Sequence, residues 1–279
     1  MQKLAIIIID YQNSPDTKEC LDSLKKLKWP GEKEVIVIKN TKENNLGFAE
    51  ANNQGAQKAL MTRTDLVMLL NNDTKVDPNL AIQLSKALEK ADIAVPKIYF
   101  YPGQEFHHDR YKPSELGKVI WYAGGHIDWN NVMGIHEGVD EVDHGQFDQP
   151  HEIEFATGCC MMIKKTVIEK SDLFDPMYYL YLEDADFSVR AKREGFKIWY
   201  EPTAVLWHKN AKASGGSGSA LQDYYFTRNR LLFGMKYALL RTKFALFRES
   251  LKLLLTGTKW QKRGVIDFYI GKLEKGSWQ

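Results

Sequence analysis

The stretch that most constrains the fold is DLVMLLNNDTKVDP, residues 65–78. Leu66, Val67, Met68, Leu69 and Leu70 run without interruption between polar turn formers, the pattern of a strand covered on both faces, as in a parallel sheet flanked by helices. The run stops at Asn71-Asn72-Asp73-Thr74. In open α/β sheets ligands bind beyond the carboxyl ends of the strands, so Asn72 and Asp73 are placed to meet one. A carboxylate there can hold Mg2+ or Mn2+ against a diphosphate, because both ions take hard oxygen ligands. An Asx-turn that only ends the strand is the alternative reading of the same residues.

The chain around this strand repeats the pattern. Leu4 to Ile9 reads as a first buried strand, ended by Asp10-Tyr11-Gln12-Asn13. From Asp16 to Leu27, Cys20, Leu21, Leu24 and Leu27 fall at helical spacing behind a Ser14 or Asp16 cap, and Val35 to Ile38 reads as a second strand. A βαβ unit crosses over right-handedly, so Asp10 and Asn40 are expected at the same sheet edge as Asp73. Between them, residues 44–55 read NNLGFAEANNQG, running into a helix that continues through Leu60. Gly costs about 1 kcal/mol relative to Ala inside a helix, so a use beyond packing is indicated. Asn45 and Asn53 can read base edges or ribose hydroxyls and Gly47 admits a ligand to the backbone; capping and turn chemistry is the competing account. Further on, a helix at 79–91 and strands at 93–101 and 154–164 are expected, then a short helix at 166–170 and a strand at 204–207.

Composition narrows the function. With 279 residues and 44% hydrophobic side chains the chain can bury a large core, and 38 basic against 36 acidic groups give no argument for a nucleic-acid partner. Cys20, Cys159 and Cys160 form neither a disulfide framework nor a metal spacing, which points to a reducing, cytoplasmic compartment. No signal peptide or spanning segment is expected. Residues 102–154 are polar, aromatic and hold six of the seven histidines. His107-His108-Asp109 lacks a second ligand pair at helical spacing. Trp121, Tyr122, His126, Trp129 and His136 can line a sugar acceptor site, with core packing the competing reading for Trp121 and Trp129.

Several motifs, in order, resemble glycosyltransferase family 2, and within it the rhamnosyltransferase-like branch. They are Asp10-Tyr11-Gln12-Asn13, NLGFAEANN at 45–53, LLNNDT at 69–74, WYAGGHID at 121–128, FATGCCMMI at 155–163, YLEDADF at 181–187, Glu201-Pro202 and Trp207-His208. The resemblance implies a GT-A fold: an α/β domain with a Rossmann-like, mostly parallel sheet over residues 1–230, nucleotide-binding in 1–100 and acceptor-binding and catalytic in 101–230. It implies an inverting, metal-dependent transferase that moves a rhamnose-like sugar from a dTDP- or UDP-linked donor to a cell-surface glycan or lipid-linked acceptor. Inversion needs a carboxylate that takes the acceptor proton as its oxygen attacks the anomeric carbon. The resemblance puts that base at Asp184, with Glu183 as its orienter or an acceptor contact beside Tyr181. Asp10, Tyr11, Asn40, Asn45, Gly47, Phe48, Asn53, Asn72 and Asp73 would bind the donor. His208 would be a second metal ligand or a bond to the diphosphate, and Arg228 and Arg230 phosphate clamps. The Gly/Ser segment around 214–219 is a closing lid or a passive linker.

Two departures leave the donor nucleotide open: Lys39 stands where the family commonly has Asp, and Asp10 where Asn is usual. A sugar-nucleotide-binding protein without chemistry and a metal-dependent nucleotidyltransferase are the alternatives. The tail, residues 231–279, carries eight Lys/Arg between 231 and 263 against Glu249 alone, among many Leu and Phe. It is either a basic amphipathic element lying peripherally on an anionic membrane or helices packed on the domain or on a homodimer mate.

Overall fold

A computed structural model describes residues 2–209 and 218–278. The chain begins with β1 (Leu4–Tyr11), α1 (Pro15–Leu24) and β2 (Lys33–Asn40). Ser14 opens α1, its hydroxyl accepting the Asp16 N–H while Pro15 occupies the first turn, where a missing N–H costs nothing. After α2 (Gly47–Met61), β3 (Leu66–Leu70) pairs with β1 on the side away from β2. Both pairings are parallel, and all five residues of β3 are buried, as its apolar run requires.

The chain continues through β4 (Thr74–Val76), α3 (Leu80–Ala87), β5 (Ile93–Phe100), β6 (Ile120–Tyr122), the hairpin β7 (Gly125–Asp128) and β8 (Met133–His136), and β9 (His151–Ile153). Next come β10 (Cys160–Lys164), α4 (Lys165–Ser171), α5 (Glu183–Arg193) and β11 (Ile198–His208). The central sheet has the order β2-β1-β3-β10-β5-β11-β4, with β6 added to β5 and β9 to β11. It is α/β and mixed: parallel from β2 to β3, while β10 runs antiparallel to both β3 and β5. The expected strand over 154–164 begins only at Cys160. Ahead of it the Ala156 and Gly158 amides bond to the Ser188 and Asp184 side chains of α5 instead of entering a ladder.

Lys97 lies inside fully covered β5, where an unpaired ammonium would be costly. Its Nζ sits 2.8 Å from Asp143 and 2.5 Å from Asp148, and Tyr99 donates to the same Asp143. These contacts fasten the irregular region between β5 and β10 to the sheet.

Three helices close the chain: α6 (Ala220–Tyr237), α7 (Leu240–Thr256) and α8 (Lys259–Tyr269). The first of them, α6, packs on the domain, with Tyr224, Tyr225, Arg228 and Asn229 buried. No helix among the described residues is long and apolar enough to cross a membrane.

Breaking a buried ion pair from one side strands the other charge, at roughly 3 kcal/mol. Asp143→Ala is therefore expected to lower unfolding free energy by about that amount in urea titrations, because only the exposed Asp148 remains for Lys97.

Candidate active site

Two loops at one edge of the sheet build the site. At the end of β3 the Asn71 N–H donates to the Cys159 carbonyl at 2.9 Å, and the Thr74 hydroxyl returns to the Asn71 carbonyl at 2.7 Å. The turn holds Asp73 against β11, since Thr74 pairs with His208 and the Lys209 N–H donates to the Asp73 carbonyl. His208 Nε2 lies 3.2 Å from Asp73 Oδ2, both side chains being almost fully buried. Its Nδ1 is buried without a hydrogen-bond partner, and Trp121 meets the imidazole edge-on at 4.5 Å between ring centres.

This corner fits a divalent cation of the Mg2+ or Mn2+ type. Such ions are held by one or two protein ligands and complete their shell with substrate phosphate and water. Asp73 and His208 supply two donors, and among the described residues no group of three metal-type side chains comes together anywhere. His107 and His108 pair instead with Asp140 and Asp109 at the surface.

Across the Gly158–Cys159 turn stands the start of α5. Asp184 Oδ2 accepts the Gly158 N–H at 2.9 Å and Oδ1 accepts the Ala185 N–H at 2.8 Å. Burial pushes its carboxyl up to about 6, against these two amides, which favour the charged form. Glu183 is more deeply buried, its Oε2 has no partner, and burial together with the neighbouring Asp184 charge raises it well above the usual carboxylate range. Burial thus raises both carboxyls, Glu183 further than Asp184, whose amide donors offset part of the rise. The third acid, Asp186, is fully buried too. Burial opposes its charge, but Arg190 and Lys236 outweigh that and hold it below the usual range, while Tyr178 and Tyr237 also donate to it. Burial raises the Cys159 thiol, and the charges of Asp73 and Asp184 each add to the rise, so both carboxylates lie near this turn.

The segment leading into α5 is conformationally demanding, with Tyr179, Tyr181 and Leu182 all at positive φ. Asn229 of α6 holds it, its amide nitrogen donating at 2.8 Å to the carbonyls of Tyr178, Leu180 and Tyr181. On the opposite side the Tyr179 carbonyl accepts the Phe48 and Ala49 N–H groups at the start of α2, and Tyr179 stacks on Tyr225. Gly47 is required here: its φ is +75°, and a Cβ would fall 2.4 Å from the Tyr179 ring.

The expected donor residues gather at the ends of β1, β2 and β3 and at the start of α2. Asp10 accepts from the Thr17 hydroxyl and the Ser14 N–H, and Asn72 donates to the same Thr17, which links the ends of β1 and β3. Tyr11, half-buried, stands opposite Asn40 across the β1–β2 pair. Asn40 bonds to the Leu46 N–H and to Asn45, and Asn45 in turn to the Gly47 N–H, so both shape the loop into α2. Asn53 exchanges two hydrogen bonds with the Phe174 backbone, and half-buried Phe48 packs on the Phe174 ring. Turn chemistry thus accounts for Asn40 and Asn45, while Asn53 fastens α2 to the Phe174 backbone. Lys39 is exposed on β2, pointing away from Asn40.

The expectation of a phosphate clamp at Arg228 and Arg230 is corrected. Arg228 is fully buried and donates to the carbonyls of Glu274, Met177 and Tyr178, while Arg230 is paired bidentately with Glu249. Tyr122 is likewise corrected as an acceptor contact, since it is fully buried and its hydroxyl donates to the Phe155 carbonyl. Trp121 and Tyr181 are half-buried near the site, whereas His126 is exposed and paired with Glu137. Trp129 stacks on Phe233 of α6. The Gly/Ser segment read as a lid lies largely outside the described residues, which break off between 209 and 218. Thr17 and Asn229 carry no sequence signal of their roles, because each acts on backbone or side chains far away in the chain.

A model of the family described as glycosyl transferase family 2 matches residues 2–171. A low-salt glycan biosynthesis hexosyltransferase, Agl10, of Haloferax volcanii is 22% identical over 253 residues, covering 83% of this chain and 75% of that protein. An N-acetylglucosaminyl-diphospho-decaprenol L-rhamnosyltransferase of Mycobacterium tuberculosis is 27% identical over 63 residues, 23% of this chain and 20% of that one. Among solved structures, GalNAc-T7 with UDP, GalNAc and Mn2+ shares the fold with a TM-score of 0.56 at 18% identity. That match covers 96% of this chain, which spans about half, 54%, of the solved one.

Removing a buried donor leaves its acceptors unsatisfied at about 1–3 kcal/mol. Asn229→Ala is expected to cost about 2 kcal/mol and to speed amide exchange of residues 179–184 well before global unfolding, which hydrogen-exchange mass spectrometry would resolve.

Proposed function

The chain belongs to glycosyltransferase family 2, and we propose that it transfers a hexose, with rhamnose as the favoured type, from a dTDP- or UDP-linked donor to a hydroxyl of a glycan or lipid-linked glycan precursor. The observation that carries this reading is the unequal acid pair. Asp184 keeps two amide donors, which offset part of the rise that burial gives its carboxyl, while Glu183 beside it has an oxygen without a partner and is raised further. The names of the two curated relatives, a hexosyltransferase of glycan biosynthesis and a rhamnosyltransferase, support the substrate class.

In this reading the Asp184 carboxylate accepts the proton of the acceptor hydroxyl as that oxygen bonds to the anomeric carbon. The bond from that carbon to the diphosphate oxygen breaks on the opposite face and its electron pair leaves with the nucleotide, so configuration inverts. In the same reading a neutral Glu183 would place no second negative charge beside Asp184, which lets Asp184 ionise more readily. Asp73 and His208 would hold the cation, which supplies positive charge to the departing diphosphate when bound. Asp10, Thr17 and Asn72 would border the nucleotide at the ends of β1 and β3.

General-base catalysis is worth about 10²–10⁴-fold. Asp184→Asn should lose activity on that scale, measured as nucleotide release across a panel of sugar donors, with donor affinity retained; undiminished turnover would remove Asp184 as the base. Since the raised carboxyl must be charged to act, kcat/KM of the unaltered protein should be level above pH 7 and fall about tenfold per pH unit below about 6. Asp73→Ala should abolish any gain in donor affinity on adding manganese in a thermal-shift titration, and an unchanged gain would place the cation elsewhere.

A further inference from the structure

The tail was expected either to pack on protein or to lie on a membrane, and α7 is built to do both. Its inner face, with Leu246 and Ser250 fully covered, packs towards α6 and α8. Its outer face carries a second apolar stripe: Leu240, Phe244, Phe247, Leu251 and Leu255. At 100° per residue these positions fall within an arc of about 80°, so they form one continuous line along the helix. Their exposure is high, at 84% for Leu240, 63% for Phe244 and 79% for Leu255. Leu239 just before α7 and Ile266, Tyr269 and Ile270 on and after α8 are exposed as well. A patch of this extent is far larger than scattered surface apolar residues require.

Charge selects what covers it. Arg241, Arg248 and Lys252 are exposed along one border of the stripe and Lys243 stands on the other. The single acid of α7, Glu249, is already neutralised by the bidentate pair with Arg230, so it offsets none of these cations outward. A second copy of this chain docked face to face would set these cations against their own equivalents, because a two-fold interface brings like patches together. An anionic lipid surface meets both features, accepting the apolar stripe among its acyl chains and the cations at its phosphates. The helix is amphipathic and charged, so it would lie in the interface and not span it.

We infer that α7, with the end of α8, is a docking surface for anionic phospholipid bilayers, inserted through Leu240, Phe244, Phe247, Leu251 and Leu255. The inference rests on the surface alone and is independent of which sugar is transferred. Docking would hold the site, through the packing of α6 on the 178–181 segment, at a fixed distance from the membrane.

The test is flotation of the full chain with vesicles of phosphatidylcholine alone and of phosphatidylcholine with 30% phosphatidylglycerol. Expected is co-flotation with the anionic vesicles, at least tenfold weaker on neutral ones and weakened by salt. The double variant Leu240→Ser/Phe244→Ser should reduce it at least tenfold further with an unchanged thermal melt, because both side chains are exposed. Arg241→Gln/Arg248→Gln should lower binding to anionic vesicles only. Donor hydrolysis in solution, followed in parallel, reports on the proposed transferase reading separately. Absence of flotation with either vesicle, flotation indifferent to the stripe variant, or a concentration-dependent dimer that the stripe variant dissolves would each overturn the inference, the last in favour of a second copy.

Discussion

The Gly158 amide, bonded at 2.9 Å to the Asp184 carboxylate, is the contact on which the site depends. Its neighbour Cys159 offers a carbonyl to the Asn71 amide, so one short turn ties the end of β3 to the start of α5. The Asp73 corner and the acidic corner are thereby tied to one turn, the first through a backbone hydrogen bond and the second through the Asp184 carboxylate. Residue size matters at this turn, because a Cβ on Gly158 would approach the Phe48 ring to 3.1 Å and the Asp184 oxygen to 3.5 Å. The crowding falls on the Phe48 ring, since 3.5 Å from the carboxylate oxygen is ordinary contact.

The acids of α5 show how burial and partners decide charge. Glu183, Asp184 and Asp186 sit within four positions on one helix, and all are subject to desolvation. Asp186 is compensated by two cations and two tyrosines and stays charged as a structural anchor. Asp184 receives only neutral amide donors and is left poised, while Glu183 has an unpartnered oxygen and is best accommodated as the neutral acid. The helix dipole would favour all of them alike, so it cannot explain the difference. Their individual surroundings do.

The C-terminal helices are part of the architecture that holds the segment leading into α5. Asn229 and Arg228 of α6 take up carbonyls of the segment 177–181, a stretch with several left-handed residues that has few partners of its own. The chain end adds to this, with the Glu274 N–H donating to the Met177 carbonyl and its own carbonyl accepting from Arg228. Tail and active-site loop are thus mechanically continuous. A surface-active face on α7 would be connected to the chemistry by packed helices.

Much of this was legible in the chain itself. The apolar runs at 4–9 and 66–70 dictated buried parallel strands, and the spacing of acids after the aromatic run at 178–181 marked the start of α5. Family motifs carried the class of chemistry. What one-dimensional pattern could not carry was partner identity: Arg228 and Asn53 look like ligand-binding residues by type, yet long-range backbone carbonyls claim them, and Tyr122 looks like a sugar platform yet is sealed in the core. The antiparallel direction of β10 and the early end of its ladder likewise followed from contacts with α5. Local periodicity fixes which faces of an element are apolar. Only the folded chain decides which of two polar groups meets the other, because hydrogen bonds are short-ranged in space and indifferent to distance along the sequence.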